Sequence, residues 1–176
     1  MSSLMEIYEG LTSVVPIGEV GSADFSMKPA IGMGALNGGT LVVVACPTRA
    51  IMAHIPHLPP SPSEAVISNS LTALQQTMNE VGAFFASLQA ENILNFREKE
   101  TKTMVLAAED CNEELQETHH VIKAVSELRS LGLAPVIHPY PLEDNNSSST
   151  SVMLINTDFG QCQEMPKLHL DDEFVE

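Results

Sequence analysis

Residues 38–57, GGTLVVVACPTRAIMAHIPH, decide the fold. Thr40 to Cys46 is a continuous apolar, β-branched run, Pro47-Thr48-Arg49 is turn chemistry, and Ala50 to Ile55 is a second apolar run. The stretch therefore predicts a buried β-hairpin. Its second strand ends on His54, an imidazole with only apolar neighbours along the chain, so this residue must find its polar partner across the fold. The short turn sets Cys46 opposite Ala50 or Ile51 and His54 opposite the region of Leu41 and Val42, which separates Cys46 from His54.

Working outward, Pro56, Pro59, Pro60 and Pro62 form a stiff connector in which no helix continues. Ser61-Pro62-Ser63-Glu64 then predicts a helix start, with Ser61 as the capping residue, Pro62 at the first helical position and Glu64 closing a capping box. Ile67, Leu71, Leu74, Met78, Val81, Phe85 and Leu88 recur at spacings of four and three, one apolar stripe along the helix. Packing on a sheet is its ordinary use, and a homodimer seam is the alternative. Thr103 to Ala108 predicts a buried strand, and Asp110 with Glu113 opens a second helix through Leu115, Ile122, Val125 and Leu128 to a stop at Gly132. Residues 135–138 and 151–155 read as further strands, and the first 35 residues as one or two short strands and loops. The polar segment 143–150 (EDNNSSST) reads as a mobile loop and the acidic residues 171–176 as a frayed tail. The sum is one domain over residues 1–176: an α/β (α+β) sandwich with a mixed, largely antiparallel sheet and two main helices.

Composition narrows the function. The 176 residues carry 23 acidic and 8 basic side chains, a formal net charge of −15, which repels phosphate backbones and anionic lipid. Nucleic acid and membrane are thus unexpected partners, and a small-molecule ligand is the expected one. No run approaches the roughly 20 apolar residues that cross a bilayer, and the N-terminus lacks the layout of a secretory signal. A cytoplasmic protein is expected. Cys46, Cys111 and Cys162 form no CxxC pair and read as reduced thiols.

His54 is the leading candidate catalytic residue, with an ordinary pKa near about 6.5 that suits acid or base work. A structural core histidine and a metal ligand are the other readings. His57 lies three residues on and faces the opposite side of an extended strand, so the pair is poorly arranged for one metal, and neither a metal nor a cofactor is expected. His119 and His120 point about 100° apart on a helix, which suits surface or capping roles. Asn37-Gly38-Gly39-Thr40 either makes a tight turn or offers backbone N–H groups to a ligand, with Thr40 a further catalytic candidate and Asn37, Gly38, Gly39 and His57 candidate ligand contacts.

The blocks Gly38-Gly39-Thr40-Leu41 and Met52-Ala53-His54-Ile55-Pro56 resemble those of the chemoreceptor glutamine deamidases (CheD-like proteins), whose first strand opens with G-[S/P]-C and whose second ends in an A-H-[I/F]-P-like block. They are closer to a group of small fungal proteins with a G-x-C-T-A … L-A-H-I-P-P pattern. The resemblance covers residues 30–157 and is specific around His54. It implies an α/β sandwich in which a cysteine thiolate attacks a side-chain amide while the histidine moves protons. His54 carries over, but Gly39 stands at the cysteine position, and glycine has no nucleophile. The missing side chain enlarges the cavity there, which suits a bulky apolar substrate. The expected function is therefore a cyclase, isomerase or dehydratase of small molecules, as in natural-product (secondary) metabolism, with His54 as acid or base. A non-catalytic binding or regulatory pseudoenzyme is one alternative, and an amidase or deamidase recruiting Thr40 or Cys46 is the other.

Overall fold

A computed structural model describes residues 3–110, 112–142 and 150–175. The predicted hairpin is present as β4 (Thr40–Ala45) and β5 (Arg49–Ile55), paired antiparallel with Leu41 opposite His54 and Ala45 opposite Ala50. Both strands are buried along nearly their whole length. That explains their unbroken apolar sequences, since a strand covered on both faces has no solvent side to alternate with.

Two five-stranded sheets stack face to face. β4 and β5 lie inside the first, flanked by β2 (Val20–Asp24), β6 (Lys102–Glu109) and β7 (Val136–Pro141) in the order β2-β5-β4-β6-β7. Its pairings are antiparallel except β6 with β7, which α3 (Thr118–Ser130) connects as a crossover. The second sheet runs β1-β3-β8-β9-β10, built from β1 (Thr12–Val14), β3 (Ala30–Leu36), β8 (Thr150–Ile155), β9 (Lys167–Leu170) and β10 (Glu173–Val175). There β1 and β3 are parallel and the other pairs antiparallel. The α+β sandwich of the sequence reading is thus correct, but with two sheets rather than one.

Alternation assigns the layers. Leu41, Val43, Ala45, Ala50 and Met52 pack with Ile31, Met33, Val152 and Leu154 between the sheets. Val42, Val44, Ile51, Ala53 and Ile55 pack under α2 (Glu64–Glu91) and α3 on the other face. The predicted stripe is used here: Leu74, Met78, Val81, Phe85 and Leu88 are buried against the sheet, so it belongs to the core rather than to a dimer seam. A one-turn helix, α1 (Leu4–Ile7), covers part of the outer face of the second sheet through Leu4 and Met5. No helix among the described residues is long and apolar enough to cross a membrane.

Several boundaries differ from the sequence reading. α2 starts at Glu64, capped by Ser63, whose hydroxyl accepts from the Val66 amide at 3.3 Å, while Ser61 adopts φ +51° outside the helix. Either serine could cap; the later one wins because it leaves the proline-rich connector entirely outside the helix. Asp110 does not open α3. Its carboxylate accepts from the Asn112 and Glu114 amides and closes a turn, Leu115 bridges to Glu109, and the helix begins only at Thr118, leaving Ile122 exposed. The stop at Gly132 is correct, with φ +79° and the Leu133 amide bonded back to the Leu128 carbonyl. The first 35 residues hold α1, β1, β2 and most of β3, three strands where one or two were expected. The acidic tail is not frayed over Asp171–Val175. Asp171 and Asp172 both have positive φ, +46° and +70°, and form the two-residue turn that pairs β10 with β9. The expected 143–150 loop lies outside the described residues except for Thr150, which opens β8.

Candidate functional site

His54 shares the parity of Met52, so its ring turns into the end of the inter-sheet space. The linker from β1 to β2 crosses between the sheets at this end. Its Gly18, held at φ +78°, donates its amide to His54 Nδ1 at 2.9 Å. That bond fixes the tautomer: Nδ1 is the acceptor, so the proton of the neutral ring sits on Nε2. The side chain is 3% exposed and Nε2 is buried with no hydrogen-bond partner among the described residues. Burial lowers the pKa from its ordinary 6.5, and protonating Nδ1 would break the Gly18 bond, so the ring is neutral at physiological pH.

Nε2 is aimed at Gly39. A Cβ placed on Gly39 would lie 2.6 Å from Nε2 and 2.6 Å from the Ile55 carbonyl, so only glycine fits there. The Tyr140 hydroxyl donates to the Gly39 carbonyl at 2.6 Å, and burial together with the nearby Glu117 charge pushes this phenol well above its ordinary range. The same Tyr140 walls a cleft of about 330 Å³ between the sheet ends, which Leu170, Phe174 and Val175 line together with the acidic Asp171 and Glu173. Cleft, Tyr140, Gly39 and His54 thus stand in series. The volume is within the range of small-ligand sites.

The other residues singled out from the sequence fall on different sides of this point. Thr40 is buried but shares the parity of Val42 and Val44, so its hydroxyl lies on the helix-facing side, opposite to His54. Asn37 is exposed at the turn, and Gly38 needs its φ of +77°. His57 packs against Gly38, where a Cβ would come within 3.3 Å of its ring, and its Nδ1 lies 2.8 Å from Glu117 Oε1. The glycine pair therefore separates the two histidines, as the opposite-face expectation required. Cys46 sits at the far end of the hairpin with its thiol 3.3 Å from the Thr48 hydroxyl, away from His54. Among the described residues no group of three or more His, Cys, Asp or Glu side chains is arranged to hold a metal ion.

Sequence reasoning missed a second cluster beside the first. Glu117 is a non-glycine residue in the left-handed region, φ 51° and ψ 42°, at the start of α3. Its side chain is only 7% exposed. One carboxylate oxygen meets His57 and accepts from the Leu58 amide, and the other lies 2.9 Å from His120 Nδ1. Burial by itself raises this carboxyl, but the bonds from His120 and Leu58 and the two imidazoles outweigh it and hold the group below its ordinary value. His120 is 1% exposed, which corrects its expected surface role, and its Nε2 reaches Ser70 Oγ at 3.0 Å. Ser70 is 50 positions from His120 in sequence. Only the adjacency of α2 and α3 joins them, so the chain held no local signal for the cluster.

No protein-family model matches this chain, and no curated protein matches it either. The residues themselves therefore carry the functional argument.

Proposed function

We propose that the protein is a small-molecule enzyme of the cyclase, isomerase or dehydratase type. In this reading the neutral His54 ring donates its Nε2 hydrogen to an oxygen of the substrate. The carrying observation is the orphaned Nε2–H, deeply buried and aimed at Gly39, the side-chain-free residue just before β4. Leaving a buried donor unpaired costs roughly 1–3 kcal/mol, which a bound oxygen would recover. The fixed tautomer narrows the role. With Nδ1 occupied by Gly18, the imidazole polarises a carbonyl as a hydrogen-bond donor rather than abstracting a proton as a base. The 330 Å³ cleft behind Tyr140 supplies the binding volume, and the substrate oxygen reaches His54 when the Gly38–Gly39 turn lifts. His57 backs that turn from its other side. The resemblance to the deamidases supports His54 as the functional position, and Gly39 argues against covalent amide chemistry. A cytoplasmic setting without nucleic-acid partners accords with the acidic composition.

One observation favours the second reading, a binding domain without turnover: in this conformation Nε2 has almost no accessible surface. Incubation in D₂O with a panel of small ketones, β-keto esters and β-hydroxy ketones separates the two. Wild-type protein is expected to speed the exchange of deuterium into the carbon beside the carbonyl of its substrate, the proton leaving to hydroxide or buffer while Nε2–H holds the enolate oxygen, and folded His54→Ala, which removes the donor, to do so about 100-fold more slowly. Equal exchange by His54→Ala refutes the assignment, and saturable binding without exchange by the wild type establishes the second reading.

A further inference from the structure

The Ser70, His120 and Glu117 side chains come from α2, α3 and the turn before α3, and meet in one line. Ser70 Oγ is 3.0 Å from His120 Nε2, and His120 Nδ1 is 2.9 Å from Glu117 Oε2. The second Glu117 oxygen is tied to His57 and Leu58, so the carboxylate cannot swing away. We propose that these three residues form a nucleophile, a base and its orienting carboxylate, a second catalytic centre that cleaves small activated esters. It is independent of the Nε2–H of His54.

Two features exceed what a structural pin between helices needs. A buried carboxylate is a costly way to hold α2 to α3, where apolar contact would serve at least as well. In addition, Glu117 adopts the left-handed region without being glycine, a strain on the order of 1–3 kcal/mol that brings its carboxylate to His120. Ser70 is half-buried rather than sealed in the core. The hydroxyl also has a second acceptor, the Ile67 carbonyl at 2.7 Å. When His120 is neutral, Ser70 donates to Nε2; when the ring carries both protons, Nε2–H donates to Oγ and the hydroxyl turns to Ile67. Both states of the base fit the same heavy-atom positions.

In the reaction, Ser70 Oγ bonds to the acyl carbon while His120 Nε2 takes the hydroxyl proton. The ester C–O bond breaks with its electron pair on the leaving oxygen, which receives that proton from His120. A water molecule then repeats the sequence: its oxygen bonds to the acyl carbon, its proton passes through His120 to Ser70 Oγ as that bond breaks, and the carboxylic acid departs.

The full chain treated with a fluorophosphonate probe tests this. The expected result is a single adduct mapped to Ser70 by mass spectrometry, absent in Ser70→Ala and formed about 100-fold more slowly in His120→Gln. Because His120→Gln also alters the packing between the helices, the same site is read independently in Ser70→Cys, which leaves both partners in place. Its thiol is expected to react with iodoacetamide at neutral pH roughly 10-fold faster in the folded chain than in the urea-unfolded one. Labelling at Ser70 that is as fast in folded His120→Gln as in wild type overturns the proposal. So does an unlabelled wild type whose Ser70→Cys variant alkylates no faster folded than unfolded.

Discussion

Gly39→Ala tests the geometry on which the His54 assignment stands. The added Cβ would be placed 2.6 Å from His54 Nε2 and 2.6 Å from the Ile55 carbonyl, each about 0.8 Å inside an ordinary contact of roughly 3.4 Å. Neither neighbour yields easily. The ring is held by the Gly18 amide, and the Ile55 carbonyl belongs to the β4–β5 ladder where Thr40 pairs with Ile55. Such overpacking costs about 3 kcal/mol, the upper end for insertions into a packed core. Restricting the unfolded chain returns about 0.5–1 kcal/mol, leaving a net loss of about 2 kcal/mol. For a chain of this size that lowers Tm by roughly 4–8 °C. Urea unfolding followed by circular dichroism measures the free energy, with Gly10→Ala as control, because nothing lies within 4 Å of that site and only its φ of +76° opposes the change. The double variant His54→Ala/Gly39→Ala should recover about 1 kcal/mol of coupling, since the ring is one of the two obstacles. If Gly39→Ala is as stable as wild type, or the coupling is zero, His54 does not abut Gly39 and the site is misdrawn.

Three further outcomes are expected. His54 has a depressed pKa in the folded state, so the unfolded chain binds its proton first; stability is full above the unfolded value near 6.5 and falls as pH drops below it, and His54→Gln should flatten that slope by up to about 1.4 kcal/mol per pH unit in urea titrations between about pH 7 and pH 5. Tyr140→Phe leaves the buried Gly39 carbonyl without its 2.6 Å donor and should destabilise by about 1–2 kcal/mol, read from the urea midpoint. Ser63→Ala removes the helix cap and should cost about 1 kcal/mol, whereas Ser61→Ala should change the thermal midpoint little; the reverse order would restore Ser61 as the cap.

What the sequence determined by itself is local. The β4–β5 hairpin, the α2 stripe and the Gly132 stop follow from residue patterns within one or two turns of chain, where propensity and periodicity act, whereas the register was open between Leu41 and Val42 opposite His54, and Cys46, expected opposite Ala50 or Ile51, lies at the turn with its amide on the Arg49 carbonyl. The two-residue turn at Asp171-Asp172 was legible too, because adjacent aspartates tolerate positive φ, but the acidity of the tail masked it. Strand order was not legible. Whether β3 and β8 join the hairpin's sheet or stack on it depends on contacts between residues more than a hundred positions apart, for which a single chain holds no short-range signal. The same holds for chemistry: position 54 was visible as a lone buried imidazole, but its proton was placed by the amide of Gly18, 36 residues away. Glu117, His120 and Ser70 became one line only when two helices packed on a common sheet face. Side-chain pattern sets what each segment buries, while hydrogen-bond partners of buried polar groups are chosen by the whole fold.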